Sequence, residues 1–142
     1  MYLKKPYFGD WPIGDLFGPR FHPIEKKEIP HNGIDIKMPI GTKLYAPLSG
    51  TAYCNEDKRS GKFLVINALT EQGKKVQFVF CHLSEFLVKN EQRVVEWQEV
   101  ALSGNSGGST GPHLHFGVMV FNYKTNEYDF VDPVNYIKFG VA

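Results

Sequence analysis

Two histidines separated by one residue, His113 and His115, follow a glycine-rich loop in the stretch GNSGGSTGPHLHFGV. Side chains on a β-strand alternate between its two faces, so both imidazoles point the same way, about 6.6 Å apart along the strand. Zinc binds neutral imidazole nitrogen and commonly takes three protein ligands in catalytic sites. The pair is a candidate metal site, and two surface or hydrogen-bonded histidines are the alternative.

A second cluster, PHNGIDIKMP, supplies His31 and Asp35. Their side chains share a face if the segment is extended, and Gly33 between them lets the backbone bend toward a metal. Imidazole and carboxylate together form a nitrogen and oxygen environment that zinc accepts. A loop histidine and a capping aspartate are the alternative for each residue alone. The spacing also leaves open which of His113 and His115 would be a ligand.

A third histidine, His82, ends a strongly apolar segment in FVFCHLSE. An imidazole without a partner is costly in such surroundings, so we expect His82 to have one. Strand alternation predicts that Cys81 lies on the opposite face, which makes it a poor ligand candidate.

Short strands separated by Gly, Pro and Asn must position these histidines. Residues 62–69 and 75–83 are predicted to form a hairpin whose turn, TEQGK, gives Gly73 a positive φ. GTKLYAPLSGTAYCN predicts another strand pair around residues 47–50. RVVEWQEVALSGNSG predicts a strand, a turn and a second strand that enters the glycine loop. Only LSEFLVKN could hold a helical turn, and no linker or repeat divides the chain, so residues 1–142 are expected to form one β-rich domain.

The composition excludes several classes of function. The chain has 142 residues, of which 42% are hydrophobic and 22% charged, with a net charge of +1, as in an ordinary soluble domain with one core. No run of Lys or Arg is longer than a pair, so nucleic acid is not an expected partner. No stretch could insert in a membrane, and two cysteines are too few for a disulfide framework.

Taken together, the three histidine clusters resemble the lysostaphin/LytM-type zinc endopeptidases that cut peptidoglycan peptides. The resemblance rests on the spacing His31-x-x-x-Asp35, an aromatic-x-His-Leu-Ser setting for His82, and STGPHLHF, in that order. It covers nearly the whole chain, up to the closing segment VDPVNYI. Two departures bear on substrate preference: Phe80 and Cys81 replace the more usual Tyr and Ala, and Gly117 stands where an acidic residue is frequent.

The resemblance implies a curved antiparallel β-sheet, mainly β with little helix, and a groove walled by loops. It implies that His31, Asp35 and His115 ligate Zn²⁺, while His82 and His113 stand beside the metal and are catalytic. No His-Glu-x-x-His helix supplies a glutamate base, so histidine must accept the proton. The glycine loop is expected to approach an extended peptide, or else only to position the following strand. The candidate substrate-binding residues are Asn32, Ser106, Gly107, Ser109 and Thr110.

The expected function is zinc-dependent hydrolysis of peptide bonds in bacterial peptidoglycan, in stem peptides or cross-bridges, by a monomer. The N-terminal stretch MYLKKPYFGDWPIGDLFG lacks the apolar core of a signal peptide. We therefore expect a phage lysin, either an endolysin that moves from the host cytoplasm to the cell wall or a virion-associated enzyme. One alternative is a non-catalytic relative that binds the wall or activates other hydrolases. Another is a carrier module resembling a biotinyl or lipoyl domain, which would need a lysine at an exposed turn tip.

Overall fold

The computed structural model describes residues 3–22 and 27–139, whose regular structure is almost entirely β-strand. A one-turn 3-10 helix, Pro133–Asn135, is the sole helical element in these two ranges, and no helix there could cross a membrane. The expectation of a mainly β, antiparallel fold is confirmed. The strands are β1 (Gly18–His22), β2 (Lys27–His31), β3 (Ile34–Ile36), β4 (Lys43–Tyr45), β5 (Gly50–Asp57), β6 (Gly61–Leu69), β7 (Lys75–Leu83), β8 (Glu85–Phe86), β9 (Gln92–Val94), β10 (Glu99–Leu102), β11 (Leu114–Asn122) and β12 (Glu127–Val131).

The fold is built around one large antiparallel sheet. Its strands lie in the order β12-β11-β7-β6-β5-β9, and β3 pairs with the first residues of β11 while β12 pairs with the later ones. Two small sheets, β1-β2 and β4-β10-β8, complete the fold. The start of β11 therefore lies between β3 and β7, which is where the three histidine clusters meet.

Strict alternation of side chains separates the core from the opposite face of this sheet. On β7, Val76, Phe78 and Phe80 are fully buried, and the ring of Phe116 on β11 packs edge-on against Phe80 with centroids 5.1 Å apart. These residues join one core with Leu44 of β4 and its neighbours. The other face of the sheet lines an open cleft.

The sequence predicted the β6–β7 hairpin correctly, including Gly73, whose φ is +78°. Two local predictions are wrong. The strands β4 and β5 form, but they do not pair with each other, because β4 pairs with β10 and β5 with β6 and β9. LSEFLVKN holds no helical turn, because Ser84 and Leu87 donate their N–H groups to carbonyls of Leu102 and Val100 instead.

Candidate functional site

The pairing of β3 with β11 places Asp35 directly opposite His115. His31 ends β2, and the chain then bends at residues 32–33 before β3 begins. A Cβ on Gly33 would clash with the carbonyl of Phe116 and would lie 3.0 Å from Nε2 of His115. Glycine is thus required here because two backbones approach closely, and this approach brings His31 to the same place as Asp35 and His115.

Two imidazole nitrogens converge on one carboxylate oxygen. Oδ1 of Asp35 lies 2.9 Å from Nδ1 of His115 and 3.2 Å from Nε2 of His31. Burial raises the pKa of Asp35, but hydrogen bonds from His115 and His31, together with their positive charge, outweigh burial and hold the pKa below its ordinary value. The three side chains offer ligand atoms that all lie within 4.8 Å of one another.

A backbone carbonyl fixes the tautomer of His31. Its Nδ1 lies 2.8 Å from the carbonyl oxygen of Leu16, and a carbonyl only accepts, so Nδ1 carries the proton and donates. Leu16 reaches this position because the preceding residues run beside β3, where Gly14 donates to the carbonyl of Asp35 and Asp35 donates to that of Asp15. In the neutral ring, which is the form that can ligate a metal, the lone pair of His31 is on Nε2, the nitrogen that faces Asp35. The hydrogen bond from this nitrogen to Asp35 belongs to the protonated ring.

His113 stands at the rim of this cluster. Its Nδ1 donates to the carbonyl of Gly111 at 2.8 Å, with Oγ of Ser109 at 3.2 Å, and its Nε2 lies 3.8 Å from Oδ1 of Asp35. His113 and His115 do face the same side, as alternation predicts. The two differ in which nitrogen points at Asp35, because His113 presents Nε2 and His115 presents Nδ1.

His82 enters the cleft through a β-bulge. Its φ is +64°, a left-handed conformation that is uncommon outside glycine, and the β6–β7 register shifts beside it. Nδ1 of His82 donates to the carbonyl of Ser106 at 2.7 Å, which is the partner that its apolar surroundings predicted. Its ring centroid lies 4.9 Å from that of His113. Burial lowers the pKa of His82; the bond to Ser106 opposes this, and the charges of His113 and His115 add to the lowering.

The bulge also changes the face of the sheet on which the side chain of Cys81 lies. Alternation from His82 assigned Cys81 to the opposite face, but the extra residue lets both side chains line the cleft. Cys81 pairs across the strands with His115. Burial is the main reason that its thiol pKa rises to about 11. Among the described residues, the side chains whose ligand atoms converge are His31, Asp35 and His115, so Cys81 remains outside the candidate ligand set.

The predicted substrate-binding residues divide into two groups. Asn32, Ser109 and Thr110 line the cleft. Ser106 does not, because its Oγ donates to the carbonyl of Leu83 at 2.6 Å and accepts from the N–H of Lys62 at 3.1 Å.

Gly107 likewise lies outside the cleft lining, and its role in substrate binding stays a prediction. Its φ is +78°, and a Cβ there would clash with the backbone of Gly61. Gly104 is enclosed in the same way, because a Cβ would lie 2.5 Å from the backbone nitrogen of Ser84. These glycines serve the packing of the loop, whereas Gly111 has open space around it.

Sequence reasoning missed most of the cleft. Asp15 reaches it through the residues that run beside β3, and Arg59 through the turn that joins β5 to β6; neither carries a motif. Ser60 lines the cleft from the same turn as Arg59. Alternation along the strands could have found six further members, which share the face opposite the core. They are Phe63, Val65, Gln77, Val79, Met119 and Phe130.

Residues 29–132, which contain every histidine and carboxylate of this cluster, match the family model described as peptidase family M23. The chain belongs to peptidase family M23. The resemblance seen in the sequence is thereby confirmed.

Two curated relatives match most of this chain. The chain is 38% identical over 121 residues to peptidoglycan DD-endopeptidase ShyA of Vibrio cholerae, a match that covers 84% of this chain and 27% of that protein. It is 32% identical over 136 residues to lysostaphin of Staphylococcus simulans, covering 95% of this chain and 25% of that protein. The chain thus spans about a quarter of the length of either relative.

Solved structures agree in fold. A zinc-containing peptidase from Vibrio cholerae superimposes with a TM-score of 0.78 at 32% identity, covering 92% of this chain and 39% of that one. The catalytic domain of lysostaphin from Staphylococcus simulans superimposes with a TM-score of 0.72 at 29% identity, covering 88% of this chain and 90% of that one. The M23 fold is therefore shared over nearly the whole described chain.

The donor set of His31, Asp35 and His115 fits a zinc ion. Tetrahedral zinc with bonds of about 2.0–2.1 Å holds its ligand atoms about 3.3 Å apart. The spacings of 3.2 Å and 2.9 Å from Asp35 Oδ1 to the two imidazole nitrogens are close to that value. The second nitrogen of His31 is held by a backbone carbonyl, an outer hydrogen bond that is typical of metal-ligating histidine.

Proposed function

We propose that this M23 domain is a zinc-dependent endopeptidase that hydrolyses peptide bonds in the stem peptides or cross-bridges of bacterial peptidoglycan. The observation that carries the proposal is the convergence of His31, Asp35 and His115 in an open cleft, with His82 and His113 beside them. The activity in the name of peptidoglycan DD-endopeptidase ShyA supports the substrate class.

His31, Asp35 and His115 would hold the metal. When bound, zinc polarises a substrate carbonyl and lowers the pKa of water toward 7. The protein contributes ligands whose orientation is set in advance, because β3 is fixed between β11 and residues 12–16.

His82 and His113 are placed to move protons. In both rings Nδ1 donates to a backbone carbonyl, which leaves the lone pair of the neutral ring on Nε2. A neutral imidazole within reach of the attacking water accepts its proton, and the imidazolium then donates a proton to the leaving amine. Because burial lowers the pKa of His82, this ring stays neutral at pH 7 and suits the role of base.

The cleft, about 580 Å³ in volume, has room for an extended peptide. Asn32, Ser109 and Thr110 line it next to the histidines and would contact the substrate backbone. A non-catalytic wall-binding module would need the cleft but not the five convergent side chains, so the cluster favours the enzyme. The phage-lysin role stays a prediction.

Digestion of purified peptidoglycans tests the proposal. We expect the protein to release peptide fragments from at least one cross-bridge type, and mass spectrometry of the products identifies the bond. Metal analysis should find about one zinc per chain, and a chelator should abolish release until zinc is restored. Binding to the wall without cleavage, by protein loaded with zinc, would instead establish the non-catalytic module.

A further inference from the structure

The cleft has an asymmetric distribution of charge. Its carboxylates, Asp15 and Asp35, belong to the wall formed by β3 and the residues beside it. Arg59 is the only Lys or Arg among the cleft-lining residues of the described chain, and it lies on the turn between β5 and β6. The floor in between is largely apolar, with Phe63 and Val79 among its members.

Hydrogen bonds fix the turn that carries Arg59 against the catalytic machinery. The N–H of Ser60 donates to Oδ1 of Asp57 at 2.6 Å, which closes the turn. The carbonyl of Ser60 accepts from the N–H of His82 at 2.8 Å, and the carbonyl of Arg59 accepts from the N–H of Gly108 at 2.9 Å. The backbone of Arg59 is therefore tied both to the bulge of His82 and to the loop that precedes His113.

The guanidinium itself is exposed, and it makes no hydrogen bond or ion pair with other described side chains. Arg59 nonetheless lines the cleft, together with Phe63 and Cys81 of its floor. A positioned arginine without an internal partner can form two parallel hydrogen bonds to a carboxylate.

We propose that Arg59 determines substrate specificity by binding a carboxylate of the peptide substrate, so that this domain selects acidic peptides over uncharged ones such as oligoglycine. This inference rests on the proposed endopeptidase function and names the substrate class of the same cleft. The carboxylate is either the end of a peptide chain or a side chain near the scissile bond, since both present the same chemistry to the guanidinium.

Matched muropeptide dimers test this inference. One dimer carries free carboxyl groups, a second has its terminal carboxyl converted to the amide, and a third has its side-chain carboxyl converted. We expect the wild-type protein to cleave the free acid with a kcat/KM about tenfold higher than that of one of the amides, a typical effect of a hydrogen-bonded charge. The amide whose kcat/KM falls below that of the free acid identifies which carboxylate Arg59 binds.

Three variants separate charge recognition from other effects. Arg59→Gln should cleave the acid and that amide at equal rates. Arg59→Lys should keep part of the preference. Lys58→Gln is the matched control, because Lys58 is an exposed cation of the same turn that does not line the cleft, and it should keep the full preference.

Equal cleavage of the free acid and both amides by the wild type would overturn the role of Arg59 and leave the endopeptidase intact. An equal loss on acid and amide in Arg59→Gln would also overturn it, since that result indicates a structural effect. Cleavage of none of the dimers, or of any purified peptidoglycan, would contradict the proposed function itself. If no dimer is cleaved, calorimetry of the intact dimers still tests whether Arg59 binds a carboxylate. Equal affinity for acid and amide would reject this contact.

Discussion

Replacing Ser106 with alanine should destabilise the protein and slow catalysis without weakening substrate binding. Oγ of Ser106 donates to the carbonyl of Leu83 and accepts from the N–H of Lys62, so Ser106→Ala removes a partner from both backbone groups. Each bond contributes about 1 kcal/mol, and an unpaired buried group costs about 1–3 kcal/mol, so we expect a loss of about 2–3 kcal/mol in the free energy of unfolding. The carbonyl of Ser106 also holds Nδ1 of His82, so a displaced loop misplaces that ring.

Urea unfolding of the metal-loaded protein measures the first effect, and steady-state kinetics measures the second. We expect kcat to fall about tenfold with KM nearly unchanged, the pattern of an interaction that matters in the transition state. Asn105→Ala is the control, because Asn105 is an exposed residue of the same loop that does not line the cleft, and its loss should change stability by less than about 0.5 kcal/mol. An Ser106→Ala protein with unchanged stability and a raised KM would refute the reasoning and restore Ser106 as a substrate contact.

Three further outcomes follow from the same geometry. Gly33→Ala should lose zinc and about 1–3 kcal/mol of stability, because its Cβ clashes with the carbonyl of Phe116; a normal melting curve and zinc content would contradict the close approach. The pH profile of kcat/KM at saturating zinc should contain an acidic limb from His82 below pH 6.5, since burial lowers its pKa and the neutral base is lost only as pH falls through that lowered value. A constant rate from pH 8 to 5, or a His82 limb above 7, would count against this. Cys81→Ser should retain about one zinc per chain, because Cys81 is not among the described side chains whose ligand atoms converge, and metal analysis of the variant decides this.

Features that depend on local periodicity could be predicted from the sequence. Alternation along one strand placed His113 and His115 on the same face, and the turn chemistry around Gly73 located the β6–β7 hairpin. The clustering of His31 with Asp35 also followed from local spacing. Such features depend only on neighbouring residues, so they can be predicted before any tertiary contact is known.

Features that depend on distant contacts could not be predicted. The bulge at His82 exists because Ser60 and Ser106, from two other segments, hold its backbone and its ring, and this bulge reverses the face assigned to Cys81. A Cβ on Gly107 would clash with the backbone of Gly61, a contact between distant segments that the sequence pattern does not reveal. The assignment of ligand and catalytic roles within the HLH pair came from family resemblance, since both histidines face the same side.

Zinc content measured beside turnover in His115→Ala and His113→Ala tests the central claim most directly. Nδ1 of His115 lies 2.9 Å from Oδ1 of Asp35, whereas Nε2 of His113 lies 3.8 Å away and its ring is held by Gly111. His115→Ala should therefore lose both the metal and the activity, as His31→Ala and Asp35→Ala should. His113→Ala should keep most of its zinc and its fold, yet lose about a hundredfold to ten-thousandfold in rate, the usual contribution of a positioned acid or base. If His113→Ala loses the metal while His115→Ala retains it, the roles within the pair are reversed; if both variants remain fully active, the account of this site is wrong.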